Sequence, residues 1–187
     1  MLSGDFMRII SGKYKGKQVD GFNIEGTRPT MDRVKESLVA MIQNKIEDST
    51  CLDLFSGSGS VGLELLSNGA KKCIFSDSNP KVIEILKKNF NKLGILDDAQ
   101  FFNSDFRKVL EKMKNNQVKF DIIFLDPPYK MNIYKEVCEY LETNNLINDR
   151  GILVLEMDVN TLPIELENYQ SKIYKYGSKK LQIMKKI

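Results

Sequence analysis

The sequence of 187 residues contains no histidine. This absence excludes Ser–His and Cys–His nucleophilic pairs, a histidine general base and any zinc site that uses a histidine ligand. Whatever chemistry the protein performs must therefore use carboxylates, hydroxyls, backbone groups or a bound cofactor. We expect no metal in the site.

Cysteines and long apolar segments are also scarce. The three cysteines, Cys51, Cys73 and Cys138, form no C-x-x-C pair, and two of them lie in apolar runs. We interpret them as reduced, mostly buried thiols. No apolar run approaches the roughly 20 residues of a membrane span, and the first ten residues lack the pattern of a signal peptide. The expected location is the cytoplasm, with no membrane contact.

Basic residues concentrate at both ends of the chain, although the net charge is only +3. The segment RIISGKYKGK at 8–17 contains no acid, and KKLQIMKKI ends the sequence. Basic ends on a near-neutral body indicate contact with nucleic acid. The alternative interpretation is that these lysines are solvated and guard edge strands against aggregation.

Apolar patterns predict strands that alternate with helices. We predict strands at 50–55, 71–77, 99–105, 119–126 and 151–157, then a hairpin that turns near Gly177. Alternating strands and helices indicate βαβ units. The predicted fold is α/β, with a mostly parallel seven-stranded sheet, helices on both faces and an antiparallel C-terminal edge hairpin. Residues 1–29 are expected to form a small N-terminal β-hairpin extension, and 30–187 one compact domain that opens with a helix capped by Thr30.

A glycine-rich turn follows the first strand of that domain. Gly57, Gly59 and Gly62 spell G-x-G-x-x-G, although we expect Gly62 to be only a small helix residue packed on the sheet. Asp77 follows Gly57 by 20 residues, a spacing that suits binding of the two ribose hydroxyls of a nucleotide; the alternative is a helix-capping acid.

Asp53 distinguishes between two classes of cofactor. A carboxylate beside this turn repels the pyrophosphate of NAD but attracts the sulfonium and ammonium groups of S-adenosylmethionine, which we therefore predict.

The sequence DPPY at 126–129 comes directly after the fourth predicted strand. Its two prolines fix the backbone and remove two N–H donors, so the Asp126 carboxylate and the Pro127 carbonyl remain as acceptors. Such acceptors can bind the hydrogens of an exocyclic amino group and aim its nitrogen at a methyl group. Tyr129 would stack on a base that has left its helix or loop. The alternative is a strand-ending turn with a buried tyrosine.

Several motifs together resemble the class I S-adenosylmethionine-dependent amino-methyltransferases: DLFSGSGS, the acid at Asp77, NSDF and DPPY. Two further segments, RIISGKYKG at 8–16 and RPTMDRVKE at 28–36, narrow the resemblance to the RsmD family of bacterial 16S rRNA guanine-N2 methyltransferases. It covers nearly the whole chain.

This resemblance implies a Rossmann-like fold and methylation of a guanine N2 amino group in 16S rRNA, within the 30S subunit or an assembly intermediate. We take the protein to be a monomer. The residues implied in catalysis are Asp126, Pro127, Pro128 and Tyr129. Those implied in cofactor binding are Asp53, Phe55, Gly57, Gly59, Asp77, Ser78, Asp105, Phe106 and Thr30. Those implied in contacts with the RNA are Arg8, Lys13, Lys15, Lys17, Arg28 and Arg33; the last two could instead be surface ion-pair partners.

Three other functions compete with this interpretation. The same chemistry could act on adenine N6 in DNA or RNA, because DPPY does not separate guanine from adenine. The chain could be a non-catalytic RNA-binding assembly factor that uses its basic hairpin. An NAD oxidoreductase is a third possibility, but it needs a proton-transfer residue that the sequence does not offer.

Overall fold

The structure is a computed structural model that describes residues 6–21, 32–128 and 131–187. Its α-helices are α1 (Asp32–Ile42), α2 (Ser60–Ser67), α3 (Pro80–Leu93), α4 (Phe106–Asn115) and α5 (Tyr134–Thr143). Its strands are β1 (Phe6–Arg8), β2 (Gln18–Asp20), β3 (Thr50–Asp53), β4 (Lys72–Asp77), β5 (Ala99–Asn103), β6 (Phe120–Leu125), β7 (Ile147–Asp158), β8 (Tyr169–Tyr176) and β9 (Lys179–Lys186).

Seven of these strands form one sheet in the order β5-β4-β3-β6-β7-β9-β8. The strands β3 to β7 run parallel, and β9 is antiparallel to both of its neighbours. The predicted seven-stranded, mostly parallel sheet with its C-terminal hairpin is confirmed. The chain order reverses between β3 and β6. In open α/β sheets such a switch point leaves a crevice at the carboxyl ends of the strands, where ligands bind.

Helices cover both faces of the sheet, as right-handed crossovers require. Apolar residues of α1, α2 and α3 pack on one face, beside Cys51 and Phe75 of the sheet. Apolar residues of α4 and α5 pack on the other face, beside Leu52 and Ile123. Alternate residues of each central strand therefore enter opposite cores, which is why these strands are apolar along their whole length.

The predicted N-terminal hairpin is present as β1 and β2, which pair antiparallel. It is fastened to α2 by a buried acid: Glu64 accepts hydrogen bonds from the Ile10 N–H (2.7 Å) and the Ser11 N–H (3.2 Å). The Lys35 ammonium group of α1 lies 3.6 Å from the same carboxylate and donates to the Arg8 carbonyl at 3.3 Å. One buried ion pair thus joins the hairpin, α1 and α2.

Local predictions differ from the structure mainly at the ends of strands. The strand predicted at 99–105 ends at Asn103, because Asp105 turns away to cap α4. The strand predicted at 50–55 ends at Asp53, and the one predicted from 151 begins at Ile147. The predicted helix cap Thr30 lies outside the described residues.

Candidate active site at the carboxyl edge of the sheet

A cavity of about 520 Å³ opens at the switch point between β3 and β6. It is bounded by the turn after β3, the ends of β4 and β5, the start of α4 and the segment after β6. Its lining includes Asp53, Phe55, Gly57, Asp77, Ser78, Asp105, Phe106, Asp126, Pro127 and Pro128, all of them predicted site residues. Distant parts of the sequence meet here because parallel strands bring their carboxyl ends to one edge.

The three glycines of the turn have different roles. Gly57 has φ +47°, and a Cβ added there would meet no atom within 4 Å, so a ligand can approach its backbone. Gly59 caps α2 in the left-handed conformation, with φ +67°, and is absent from the cavity lining. A Cβ at Gly62 would overlap the ring of Phe75, which confirms that Gly62 allows α2 to pack closely on β4.

Asp53, the last residue of β3, is a fully buried carboxylate in the wall of the cavity. Its Oδ2 accepts a hydrogen bond from the Gly62 N–H at 3.2 Å, whereas Oδ1 has no hydrogen-bond partner among the described residues. Burial raises the pKa of Asp53 well above its ordinary value, the Gly62 N–H opposes this, and the nearby carboxylates of Asp126 and Asp77 add to it. The structure therefore places an unsatisfied acceptor where a positively charged ligand would pair with it.

Asp77, at the end of β4, is held rigidly at the rim of the cavity. Its Oδ2 accepts a hydrogen bond from the Gly57 N–H at 3.0 Å, and its Oδ1 accepts one from the Asn79 N–H at 2.8 Å. Each carboxylate oxygen can accept more than one hydrogen bond, so both retain capacity for the hydroxyls of a ribose. Helix capping is done by the neighbour: the side chain of Asn79, not that of Asp77, caps α3.

Aromatic rings form the wall of the cavity near α4. The rings of Phe55 and Phe106 are 5.3 Å apart between centroids, and the Arg107 guanidinium lies 4.3 Å from the centre of the Phe106 ring. Asp105 caps α4 by accepting a hydrogen bond from the Arg107 N–H at 2.9 Å. An aromatic, apolar wall beside a fixed carboxylate suits a heterocycle such as adenine.

The segment after β6, the strand next to β3, brings Asp126, Pro127 and Pro128 into the wall of the cavity. The pKa of Asp126 is raised to about 7: burial is the largest cause, the Glu156 carboxylate adds to it and the Lys179 ammonium group opposes both. Tyr129 lies outside the described residues, so its predicted stacking on a base stays a prediction.

Glu156 and Lys179 are the residues near this site that the sequence reasoning missed. Lys179, the first residue of β9, lines the cavity and forms an ion pair with the fully buried Glu156 of β7. A glutamate inside the apolar run ILVLEM was the signal that could have found the pair, because a charge is rarely placed in a central strand without a partner.

Those predicted RNA-contact residues that the structure describes do not line the cavity. Arg8, Lys13, Lys15 and Lys17 are exposed on the hairpin, and Arg33 is exposed on α1. The Lys13 N–H donates to the Ser67 carbonyl at the far end of α2, about 10 Å along the helix from the cavity-lining Ser60. Arg28 and Thr30 lie outside the described residues.

The described part of the chain contains no cluster of three or more acidic, cysteine or histidine side chains placed to hold a metal ion. None of the helices described is both long and apolar enough to cross a membrane.

Comparison with known proteins agrees with this geometry. The family model described as conserved hypothetical protein 95 matches residues 7–185. The ribosomal RNA small subunit methyltransferase D of Haemophilus influenzae is 38% identical over 87% of this chain and 84% of its own length. An Escherichia coli protein described as a candidate methyltransferase has a TM-score of 0.84 and 28% identity, over 97% of this chain and 98% of that one. A Haemophilus influenzae protein described as a candidate methylase has a TM-score of 0.80 and 31% identity, over 98% and 99%.

The family predicted from the motifs is confirmed by the extent of these matches, which span both the hairpin and the sheet. The cavity, the acid-lined glycine turn and the D-P-P segment all lie inside the matched range. The chain belongs to the ribosomal RNA small subunit methyltransferase D family.

Proposed function

We propose that this protein transfers a methyl group from S-adenosylmethionine to the exocyclic N2 amino group of a guanine in 16S rRNA. One observation carries the proposal: the buried, half-satisfied carboxylate of Asp53 and the acceptor segment Asp126–Pro128 line one cavity, at the ends of the adjacent strands β3 and β6. The first suits a cationic methyl donor and the second suits an amino group, and methyl transfer needs the two side by side.

The part of the cavity lined by Asp53, Gly57 and Asp77 fits the cofactor. Asp53 would pair with the positive charges of the methionine part, which satisfies its free oxygen, and the open backbone at Gly57 leaves room for this part. Asp77 would bind the ribose hydroxyls, and Phe55 and Phe106 would hold the adenine. When bound, S-adenosylmethionine supplies an electrophilic methyl group, so no nucleophilic side chain is required.

The part of the cavity lined by Asp126 and Pro127 fits the target base. Asp126 as a carboxylate, together with the Pro127 carbonyl, would accept the amino hydrogens and aim the nitrogen lone pair at the methyl group. The new N–C bond would form as the S–C bond of the bound cofactor breaks, and one amino proton would then be lost to solvent. Because only the ionised carboxylate is a pure acceptor, this role requires Asp126 to be deprotonated.

The substrate and its setting are further parts of the proposal. The exposed basic residues of the hairpin and Arg33 would contact rRNA phosphates away from the cavity, and Tyr129 would stack on the extruded guanine. We propose that the enzyme acts as a cytoplasmic monomer on the small subunit or an assembly intermediate. The family membership supports an rRNA substrate.

The test is methyl incorporation from labelled S-adenosylmethionine into three acceptors: small subunits from cells that lack the enzyme, naked 16S rRNA and duplex DNA. We expect incorporation into the subunits, at one guanine that mass spectrometry of the digested RNA identifies as N2-methylated. Asp126→Ala should abolish transfer and leave the cofactor dissociation constant within about threefold, because Asp126 faces the base. Methylation of adenine, or full activity of Asp126→Ala, would refute the assignment. A failure to bind the cofactor would favour the non-catalytic alternative.

A further inference from the structure

Charged side chains lie in a row across one face of the sheet, at its carboxyl edge. The register pairs Asp53 of β3 with Phe124 of β6, and Phe124 with Val154 of β7. Because side chains on the same face recur every second residue, Asp126 and Glu156 are the next same-face positions on these adjacent strands. Continuing the register places their Cα atoms about 5 Å apart.

Lys179 completes this row on the next strand. In the β7–β9 pairing Glu156 lies opposite Leu181 and Lys179 lies opposite Asp158, so Glu156 and Lys179 are diagonal neighbours on one face. The side chains of Glu156 and Lys179 are only 0% and 11% exposed. The Tyr134 hydroxyl donates to the Glu156 carbonyl at 2.6 Å, which fixes this end of β7.

A buried ion pair is a poor device for stability alone, because desolvation offsets most of the attraction and apolar residues would pack as well. Its location indicates another role. Among the described residues that line the cavity, Lys179 is the only basic one, whereas Asp53, Asp77, Asp105 and Asp126 are acidic. The ammonium group of Lys179 lies at the end of the cavity where the base would bind. There it reduces the negative potential beside Asp126, the residue that must stay ionised.

Resting on the proposed function, we propose that Glu156 and Lys179 are a positioning pair for Asp126: Glu156 anchors the ammonium group of Lys179 at the cavity wall, and the pair sets the pH range of methyl transfer. The groups that face Asp126 from the described elements are Asp53 on β3, Glu156 on β7 and Lys179 on β9. Asp77 on β4 lies beyond Asp53. Of these, Glu156 is the one whose negative charge opposes ionisation of Asp126 most strongly.

The experiment measures single-turnover methyl transfer to small subunits from about pH 5 to about pH 9. In the wild type the rate should fall on the acid side as Asp126 is protonated, with a midpoint near 7. Glu156→Gln keeps the shape of the side chain and removes its charge, so the acid limb should move down by about 1 pH unit. Adding Lys179→Gln in that background removes the ammonium group that favours the ionised form of Asp126, so the limb should move back up.

Lys180→Gln is the matched control. Lys180 is the buried neighbour on β9 that donates to the Thr161 carbonyl and does not line the cavity, so its loss should leave the acid limb in place. Activity that falls equally at every pH in Glu156→Gln, with no shift of the limb, would show a merely structural role and overturn the inference. A wild-type protein that transfers no methyl group would instead overturn the proposed function.

Discussion

Asp53→Asn should stabilise the free protein while it weakens cofactor binding. The asparagine oxygen can keep the hydrogen bond from the Gly62 N–H, so that contact is unchanged by the substitution. The other carboxylate oxygen is buried and has no partner among the described residues. In asparagine an amide NH2 group takes its place, so the gain comes from removing a buried negative charge, whose desolvation costs more than that of a neutral polar group. Removing the charge also removes repulsion with the neighbouring carboxylates. We expect the free energy of unfolding at about pH 8 to rise by about 1–3 kcal/mol.

This gain should depend on pH in a direction fixed by the pKa shift of Asp53. The folded-state pKa of Asp53 is raised, so the folded protein holds the proton more tightly than the unfolded chain. Wild-type stability therefore falls as the pH rises from the unfolded pKa of about 3.9 towards the raised folded value. The advantage of Asp53→Asn should accordingly be largest at alkaline pH and shrink as the pH falls towards about 4, as urea unfolding at several pH values will show.

Binding should change in the opposite sense. Hydrogen bonds to charged groups contribute about 1.5–3 kcal/mol, so loss of the Asp53 charge should raise the dissociation constant of S-adenosylmethionine about 10- to 100-fold in titration calorimetry. S-Adenosylhomocysteine keeps the ammonium group and lacks the sulfonium charge. If Asp53→Asn weakens the binding of both ligands equally, Asp53 contacts the ammonium group. If it weakens the binding of S-adenosylmethionine more, Asp53 contacts the sulfonium.

Asp77→Asn is the matched control, with the same change of charge on the adjacent strand. Both Asp77 oxygens accept backbone N–H groups, so the amide must lose one of these bonds and stability should fall by about 1–2 kcal/mol. If Asp53→Asn also lowered stability, or left cofactor affinity unchanged, Asp53 would not be the unsatisfied partner of a cationic ligand.

Two further predictions concern packing and the hairpin. Gly62→Ala should lower the free energy of unfolding by about 1–3 kcal/mol, because its methyl group overlaps the ring of Phe75. Adding Phe75→Leu should recover part of this loss, whereas additive effects of the two substitutions in urea unfolding would contradict the contact. Lys35→Met should lower the free energy of unfolding by about 3 kcal/mol, because it leaves the buried Glu64 carboxylate without its counter-charge. Lys88→Met removes a surface ion pair and should leave the urea unfolding midpoint unchanged. Equal effects of the two substitutions would argue against the buried ion pair as the contact that holds the hairpin to α1 and α2.

The alternation of helices and strands could be predicted because it depends on the backbone preferences of residues close together in the sequence. Pro80 at the first position of α3 and Gly94 at its end mark a helix by backbone preference alone, and the structure has both as predicted. Ends of strands were predicted less well. Asp105 was included in the strand predicted at 99–105 but lies beyond the end of β5, because its side chain caps the next helix.

The sequence by itself determined the chemistry that this protein can perform. The absence of histidine, the acid before the glycine turn and the D-P-P segment are choices of residue type and short spacing, and they hold in any packing. The tertiary structure decided which groups act on one another. Only the order of strands places Glu156 and Lys179 beside Asp126, residues 30 and 53 positions apart from it in the chain. Likewise only packing leaves one oxygen of Asp53 without a partner among the described residues, because burial and hydrogen bonding depend on distant segments that no local pattern specifies.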